Sequence, residues 1–384
     1  MFDEISSFKN LLRAYYLSRR NKRSRRNLQK IEVRFEDHII NIRSKLKSGA
    51  YKPKQYHQFL VYEPKMRQVS APAFLDRIVH HAILNVVEPM FDAHFIPTCF
   101  ACRKGRGTHH GMVETAKCFK QMANKHTIFY VLKCDIRKYF SSINHEILYS
   151  ALAARITCSR TLKLLRVIID SYCDTPETGI PIGNLTSQLF ANIYLHPLDI
   201  YITKSLVEPN YFRYMDDFLV LSPDKEYLKN LRHKMEMFLK STLALDLHPR
   251  KANIFRADCG LDFIGFMIKK DVRYMRKNTL RRYKKRHKKR IRALKYYKQK
   301  LKRIGENTQL SLFSQERREY TQQELQRMEY YKDKIDHMLE KLRASRNSIK
   351  GFLKYSAFEK LKTGGVKVNG IIIPQIFPRK STVK

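Results

Sequence analysis

Two adjacent carboxylates interrupt an apolar, strand-forming stretch in the middle of the sequence. Asp216 and Asp217 lie between the runs 210–214 and 218–221, a pattern that predicts a β-hairpin whose turn carries both acids. A third acid, Asp135, follows another apolar run. Asp is a common turn residue in any protein, but acids at the ends of neighbouring strands would meet at one sheet edge. They would then form a set of hard oxygen ligands suited to Mg²⁺.

A carboxylate set of this kind favours one reaction. Two Mg²⁺ ions about 3.5–4 Å apart can activate an attacking 3′-hydroxyl and stabilise the leaving pyrophosphate oxygen in an in-line displacement. The acids therefore predict nucleotidyl transfer with two Mg²⁺ ions as cofactor, and with Mn²⁺ as an alternative ion.

The charge balance indicates a polyanionic partner. The 384 residues include 76 Lys plus Arg against 35 Asp plus Glu, a net charge of +41, which is far more than solubility requires. The positive charge is concentrated at 19–30 and 269–303. A single sign at this density repels itself unless phosphates are close, so we expect nucleic-acid contact rather than a solvated charged face. The candidate nucleic-acid-binding residues in these clusters are Arg23, Arg25, Arg281, Arg282, Lys285 and Lys289.

The composition is that of a globular intracellular protein. Hydrophobic residues make up 43% of the sequence, enough for a core. No run approaches the roughly 18 apolar residues of a membrane span, so no membrane partner is expected. Seven cysteines at irregular spacing and the lack of an apolar N-terminal stretch argue against a disulfide framework and a secretory signal. We expect a cytoplasmic protein; the family resemblance described below implies that it is bacterial or phage-encoded.

Strands and helices mix without a regular alternation, which predicts an α+β fold. The stretch 278–302 combines basic residues with apolar ones at three- or four-residue spacing, the pattern of a basic amphipathic helix, and the segment 309–343 has helical spacing with mixed charges. The strand-like runs are 59–62, 127–134, 211–214, 218–221 and 261–268, and the helical stretches are 73–87, 146–154, 162–171, 187–206 and 278–302.

The order of the acidic motifs resembles that of the reverse transcriptases. Asp-Ile-Arg-Lys-Tyr-Phe at 135–140 resembles motif A of the palm, and Tyr-Met-Asp-Asp at 214–217 resembles motif C. The family's other motifs follow in the expected order. The stretches 63–70 and 76–82 resemble the fingers motifs, 179–188 resembles motif B, Lys251 occupies the place of the motif D lysine, and 261–266 resembles the primer grip.

The resemblance implies a right-hand polymerase. Its parts are fingers, a palm built from an antiparallel sheet backed by helices, and a helical basic thumb. On this division, 1–50 is a basic N-terminal arm, 51–268 holds the fingers and palm, and 269–384 is the thumb with a C-terminal tail.

The resemblance also implies roles for the residues of the site. Asp135 and Asp216 are expected to be the main metal ligands. Asp217 is expected as a weaker or outer partner, and the carbonyl of Ile136 as a further oxygen ligand. Phe140 matches the steric gate, whose ring would collide with a ribose 2′-hydroxyl, although a Phe at such a junction is more commonly a core aromatic.

Further residues are expected to contact the nucleotide and the primer. Lys65 and Arg67 are two apart in an extended segment, so their side chains would point the same way and could clamp a triphosphate; the alternative is two surface basics. Lys251 could donate a proton to departing pyrophosphate. Phe263 and Gly265 are the expected primer-grip residues.

Motif B departs from the usual family pattern, Gln-Gly-x-x-x-Ser-Pro. Ile182 replaces the polar residue that packs beside the incoming base, and Gln188 replaces the proline; both are assigned to nucleotide binding. The variant is similar to the reverse transcriptases of diversity-generating retroelements, a type related to group II intron and retron enzymes. An aliphatic side chain offers shape without a hydrogen bond, so it should reject mismatches less sharply.

These features predict an RNA-directed DNA polymerase that makes cDNA from a template RNA, with errors concentrated at adenines. Its partners would be template RNA, the cDNA or primer, dNTPs and a small basic accessory protein. Two alternatives stay open. One is an antiphage-defence or retron-like reverse transcriptase that copies a noncoding RNA. The other is a non-catalytic RNA-binding protein on a polymerase scaffold, against which the three intact acids argue.

Overall fold

The computed structural model describes residues 1–20, 26–63, 65–309 and 320–354, with three short strands beyond them. The chain divides into two compact units, Met1–Cys259 and Gly260–Lys384. Helices and antiparallel strands are mixed in both units, as the α+β prediction requires.

Ten α-helices and six strands are described in the first unit. The helices are α1 (Phe2–Ile5), α2 (Phe8–Arg19), α3 (Arg26–Glu32), α4 (Phe35–Ser48), α5 (Phe74–Asp92), α6 (Thr108–Lys125), α7 (His145–Ala153), α8 (Ser159–Ile169), α9 (Leu185–Ile200) and α10 (Lys225–Leu243). The strands are β1 (His57–Val61), β2 (Arg67–Ala71), β3 (Tyr130–Asp135), β4 (Tyr211–Tyr214), β5 (Asp217–Ser222) and β6 (Asn253–Arg256).

A four-stranded antiparallel sheet lies at the centre of this unit, with the strand order β4-β5-β3-β6. The sequence predicts that the strands carrying the acids are neighbours, and the structure confirms it. In the pairing of β3 with β5, Asp135 lies directly opposite Asp217. Opposite residues of an antiparallel pair project to the same face, so this register places two of the acids side by side.

Helices cover the sheet and share one core with it. That core includes Leu132 of β3, Val220 of β5, Ile83 of α5 and Tyr194 of α9, each at most 1% exposed. Fully buried apolar side chains of this kind supply most of the stabilisation of a fold. The sheet edge that carries the acids is therefore held by packed elements on several sides.

The N-terminal segment, suggested as an arm by its charge, forms the helices α1 to α4. Leu11, Tyr15 and Ile39 of this segment are buried in the core of the unit. Asn10 of α2 donates a hydrogen bond from its side-chain amide to the Ala82 carbonyl of α5 at 3.0 Å. The segment thus packs on the helices behind the sheet.

The loop before α9 is tied to the β1–β2 hairpin. The Ser70 amide of β2 donates to the Ile182 carbonyl at 2.8 Å. Gly183 has a φ of +112°, and a Cβ atom there would lie 2.6 Å from Cγ1 of Val69. Only glycine meets both the backbone angle and the close approach without strain.

The second unit contains six strands and two long helices among its described residues. A long helix was predicted for 278–302, and this range lies within the first of the two. The elements are β7 (Leu261–Phe263), β8 (Phe266–Ile268), β9 (Arg273–Met275), α11 (Lys277–Gln309), α12 (Gln322–Lys354), β10 (Glu359–Lys360), β11 (Val366–Val368) and β12 (Ile371–Ile373).

The helices α11 and α12 run antiparallel. Arg290 of α11 donates to the Lys341 carbonyl of α12 at 3.0 Å, and the rings of Tyr297 and Tyr331 lie 6.3 Å apart further along the pair. Beyond them, β10, β11 and β12 form a small antiparallel sheet. Across the described residues of both units, no helix has the length and apolar character needed to cross a membrane.

Replacing Gly183 with alanine should destabilise the first unit. The new Cβ would clash with Val69 and would hold an L-residue at positive φ, so we expect a loss of about 2 kcal/mol or more in the free energy of unfolding. Gly49→Ala is the matched control, because Gly49 also has a positive φ of +74° but nothing within 4 Å of its added Cβ. It should cost only about 1 kcal/mol. Equal losses in denaturant unfolding would show that the close approach carries no cost.

Candidate active site

The strands β4 and β5 form a hairpin with a two-residue turn. Tyr214 pairs with Asp217, so the turn consists of Met215 and Asp216. The sequence predicts that both acids lie in the turn; the structure corrects this, because pairing already begins at Asp217. Met215 has a φ of +57°, an uncommon conformation for a residue other than glycine.

The structure brings the three predicted acids together. Asp135 and Asp217 are opposite each other on adjacent strands, and Asp216 precedes Asp217 in the turn. Burial raises the pKa of Asp216, and the charge of Asp135 raises it further. Burial also raises the pKa of Asp217 from 3.8 to about 6, with Asp216 and Asp135 adding to the effect. The three carboxylates therefore lie within one region of mutual repulsion.

Two lysines oppose this repulsion. The ammonium group of Lys251 lies 2.6 Å from Oδ2 of Asp135. That of Lys133 lies 3.5 Å from Oδ2 of Asp217 and acts against the rise in that carboxyl's pKa. The other oxygen of Asp217, Oδ1, is buried and has no hydrogen-bond partner within the described part of the chain.

The backbone after Asp135 is fixed by a short bridge to the segment 246–248. The His248 amide donates to the Asp135 carbonyl at 2.8 Å, and the Arg137 amide donates to the Asp246 carbonyl at 2.9 Å. Ile136 lies between these two bonds, and its own carbonyl takes no part in the bridge. The backbone on both sides of the Ile136 carbonyl is thus fixed, and the role of that carbonyl as an oxygen ligand stays a prediction.

The donor set suits a divalent cation. It combines three neighbouring carboxylates, one of which has a buried oxygen without a hydrogen-bond partner among the described residues, and carboxylate oxygens are ligands that Mg²⁺ prefers. The three carboxylates are neighbours but do not form a preformed site: within the described ranges, no group of three His, Cys, Asp or Glu side chains is already arranged to hold a metal ion. The positive charge next to the carboxylates comes instead from Lys251 and Lys133.

The structure separates the two predicted triphosphate contacts. Arg67 is the first residue of β2, and its positive charge acts on Asp216 and lowers that carboxyl's pKa against the effect of burial. Lys65 is exposed and lies in the connection between β1 and β2, outside both strands. The alternation of side chains along a strand therefore does not fix the direction of the Lys65 side chain.

The residues expected to line the nucleotide site occupy different environments. Phe140 is half-buried, packs against the core and meets the Tyr139 ring edge-on at 5.7 Å between centroids. It combines the features of a core aromatic with partial exposure. Ile182 is half-buried in the loop tied to β2, and Gln188 is exposed on the first turns of α9.

The predicted primer-grip residues lie in the β7–β8 hairpin of the second unit. Phe263 is fully buried. Ile264 and Gly265 form its two-residue turn with φ values of +43° and +90°, and the Gly265 carbonyl accepts a hydrogen bond from the Arg276 amide at 3.0 Å. The glycine suits a turn of this kind.

The basic residues of α11 face solvent to different degrees. Arg282 is half-buried, whereas the other three predicted contacts on this helix are exposed. Arg23 and Arg25 lie outside the described residues. The exposed contacts are Arg281, Lys285 and Lys289.

Two charged residues near the acids escape the sequence analysis. Lys133 is two residues before Asp135 and therefore projects to the same face of β3, a spacing that could have revealed it. Arg213 lies inside the apolar run before motif C and is fully buried. An arginine in such a run is unusual unless it is paired, but no local pattern names its partner.

Comparison with known proteins gives the family. The reverse transcriptase (RNA-dependent DNA polymerase) family matches residues 52–268. Protein YkfC of Escherichia coli is 27% identical over 291 residues, which cover 65% of this chain and 76% of that protein. The group II intron-encoded protein LtrA of Lactococcus lactis is 21% identical over 318 residues, 64% of this chain and 51% of LtrA. The chain thus spans about half the length of LtrA.

Solved structures with a similar course of the chain include telomerases. Apo telomerase from Candida tropicalis, truncated from the C-terminal domain, has a TM-score of 0.47 at 13% identity and covers 60% of this chain and 58% of that one. Telomerase from the same species in complex with a fragment of telomeric RNA has a TM-score of 0.41 at 15% identity, and it covers 84% of this chain and 59% of that one.

The family match spans more than half of the chain, so the chain belongs to the reverse transcriptase family. Members of this family are RNA-directed DNA polymerases. The predicted enzyme class and the predicted right-hand polymerase fold are therefore confirmed.

Replacing Asp217 with asparagine should stabilise the protein in metal-free buffer. The raised pKa of about 6 means that the charged carboxylate weakens the folded state above that pH, whereas below about pH 4 the group is protonated in both states. We expect a gain of about 1–3 kcal/mol in the free energy of unfolding at pH 7.5, which disappears as the pH falls to 4.

The control for this experiment is Asp258→Asn. Asp258 forms an ion pair with Arg256 at 2.8 Å, and its side chain is 59% exposed, so its loss should change stability little. If Asp217→Asn destabilised the protein at pH 7.5 in EDTA, the carboxylate would be stabilised by its surroundings, against this description of the site.

Proposed function

We propose that this chain makes cDNA from a template RNA by two-metal nucleotidyl transfer at the acidic edge of the central sheet. The convergence of Asp135, Asp216 and Asp217 on that edge carries the proposal. Reverse transcriptases use divalent metal ions such as Mg²⁺. When bound, two such ions would activate the primer 3′-hydroxyl and stabilise the leaving pyrophosphate.

The acids and the lysines next to them have complementary roles in this proposal. Asp135, Asp216 and the Ile136 carbonyl would hold the ions, with Asp217 as an outer partner. Lys251 is paired with Asp135 at 2.6 Å. When bound cations neutralise the charge of Asp135, the ammonium group of Lys251 would be free to turn towards the pyrophosphate and to donate a proton to it.

Residues around the acids would orient the nucleotide. Arg67, whose charge already acts on Asp216, is the side chain best supported to bind the triphosphate, because guanidinium groups form paired hydrogen bonds with phosphate. Lys65 would reach the phosphates only from the β1–β2 connection. Phe140, partly exposed beside the acids' strand, would exclude a ribose 2′-hydroxyl and so favour dNTPs.

The second unit and the basic clusters would bind the nucleic acid. Phe263 and Gly265 would contact the primer from a hairpin with a defined turn. Exposed basic residues along α11 would meet the phosphates of the template and the cDNA, a contact that is strongly weakened by salt. A small basic accessory protein belongs to the same proposal.

We further propose that the enzyme is of the diversity-generating type. The support is the motif B variant, in which Ile182 takes the place of a polar side chain and is held against β2 through its carbonyl. An aliphatic residue next to the incoming base can select by shape alone. A retron-like or defence enzyme that copies a noncoding RNA would share the chemistry and differ in the template and in the errors.

Asp216→Asn should abolish cDNA synthesis. Primer extension on a defined RNA with Mg²⁺ and dNTPs should fall by about 1,000-fold or more, because the site loses a charged ligand that acts in the transition state. Glu226→Gln is the control, since Glu226 only forms an exposed ion pair with Lys229 on α10. Wild-type synthesis by Asp216→Asn would overturn the site. RNA binding without incorporation by the unaltered protein would support the non-catalytic alternative instead.

The error spectrum tests the diversity-generating type. Sequencing of cDNA made from a defined RNA should show misincorporation concentrated opposite adenines. Ile182→Gln restores a hydrogen-bonding side chain and should lower the error rate about tenfold, whereas Ile182→Leu keeps the aliphatic shape and should leave it high. Errors spread evenly over the four template bases would contradict this part of the proposal and would favour a retron-like or defence enzyme.

A further inference from the structure

Arg213 is a charged side chain with no exposure to solvent, next to the acidic turn. It lies on β4, two residues before Met215, and is 0% exposed. Burying a guanidinium group is costly unless its N–H groups all find acceptors. Its environment therefore has to be built specifically around it.

Asp199 of α9 is the main partner of this guanidinium. Nε of Arg213 donates to Oδ1 at 2.7 Å and Nη2 donates to Oδ2 at 2.5 Å, and neither side chain is exposed. This is the paired geometry that fixes an arginine most firmly. Asp199 also accepts a hydrogen bond from the Tyr211 hydroxyl at 2.9 Å, so the carboxylate itself is held in one orientation.

The remaining nitrogen connects α9 to the turn. Nη1 of Arg213 donates to the side-chain oxygen of Asn192 on α9 and to the Met215 carbonyl, each at 3.2 Å. Asn192 is held in turn by a bond from its amide to the Ala101 carbonyl at 2.8 Å. Because Met215 has a positive φ, its peptide group needs a fixed partner to stay in that conformation.

The backbone of Arg213 is anchored as well. Its amide donates to the Thr98 carbonyl at 3.0 Å, and its own carbonyl accepts from the Phe100 amide at 3.0 Å. Arg213 is thus held at both ends. Its backbone is hydrogen-bonded to the segment 98–100, and its guanidinium group is hydrogen-bonded to α9. Among the hydrogen bonds of Arg213 within the described ranges, the bond to the Met215 carbonyl is the one that leads to the acidic turn.

We propose that Arg213 is a positioning residue for the polymerase reaction, which sets the place of Asp216 by holding the Met215 carbonyl from a scaffold fixed on Asp199. The inference rests on the proposed function of the acidic site. It also gives α9 two roles. The helix carries Gln188, which is assigned to nucleotide binding, and it carries Asp199 and Asn192, which hold Arg213 next to the acidic turn.

A role in stability alone would not require this arrangement. A buried ion pair contributes little net stability over a well-packed apolar pair, and an apolar pair could fill the same space. The feature that an apolar pair cannot reproduce is the bond to the turn carbonyl. The readout that separates the two roles is therefore cation affinity and rate, compared at equal stability.

The first test is Arg213→Lys in the full chain. Lysine keeps a positive charge opposite Asp199, but its compact ammonium group lacks the planar fork and cannot hold both the carboxylate and the Met215 carbonyl. We expect a folded protein whose Mn²⁺ affinity, measured by electron paramagnetic resonance without nucleic acid or dNTPs, falls about 10- to 100-fold. The rate of incorporation should fall by a similar factor.

A second variant removes the charges together. Arg213→Met combined with Asp199→Leu and Tyr211→Phe leaves no buried charge unpaired, so it should fold even if a single charge change is not tolerated. It should show the same loss of Mn²⁺ affinity. Circular dichroism and thermal unfolding establish that each variant compared is folded.

The matched control is a second arginine of this unit whose side chain is largely buried and paired with an aspartate. Arg103 forms an ion pair with Asp92 at 2.5 Å, and its side chain is 6% exposed, but its bonds go to the Ile96 and Cys99 carbonyls. Arg103→Lys should therefore keep the wild-type Mn²⁺ affinity. Wild-type affinity and rate in a folded Arg213→Lys protein would overturn the inference. A wild-type protein that incorporates no nucleotide would instead overturn the proposed function.

Discussion

Repulsion among three carboxylates is the constraint around which the first unit is built. Asp135 and Asp217 face each other across two strands, and Asp216 adjoins them in a half-buried turn. Water is too scarce there to screen the charges fully, so the pKa values of Asp216 and Asp217 rise. Such an arrangement weakens the fold and is typical of functional sites. Lys251 and Lys133 relieve it only partly, and Oδ1 of Asp217 still has no hydrogen-bond partner among the residues that the structure describes.

The rest of the unit holds this unfavourable cluster in place. The hydrophobic core fixes β3 and β5, and the bridge from Ile136 to Leu247 fixes the backbone beyond Asp135. The loop before α9 is closed against β2 at Gly183, so the hairpin that carries Arg67 and the helix that carries Asp199 belong to one packed body. Catalysis by preorganised charge needs this rigidity, because a carboxylate displaced by about 1 Å loses much of its effect.

Local pattern was enough to predict the hairpin of motif C, the strand before Asp135 and the long basic helix, since each depends on residues close in sequence. It failed where partners are distant. The pairing of Arg213 with Asp199 joins a strand to a helix, and the contact of Lys251 with Asp135 spans more than a hundred residues. The burial of Tyr15 and Ile39 likewise depends on helices that charge alone could not reveal. The extended segment predicted through Lys65 is interrupted there, because the connection between β1 and β2 ends only at Arg67.

The most direct test of the central claim is to locate divalent ions in a crystal of the protein with template RNA, primer and a non-hydrolysable dNTP. Data collected near the manganese absorption edge after soaking in Mn²⁺ would show each bound ion as an anomalous peak. We expect two peaks, both within bonding distance of oxygens from Asp135 and Asp216. A complex with the nucleotide bound and no peak at these carboxylates, or with Lys251 still paired to Asp135 and the ions elsewhere, would contradict it.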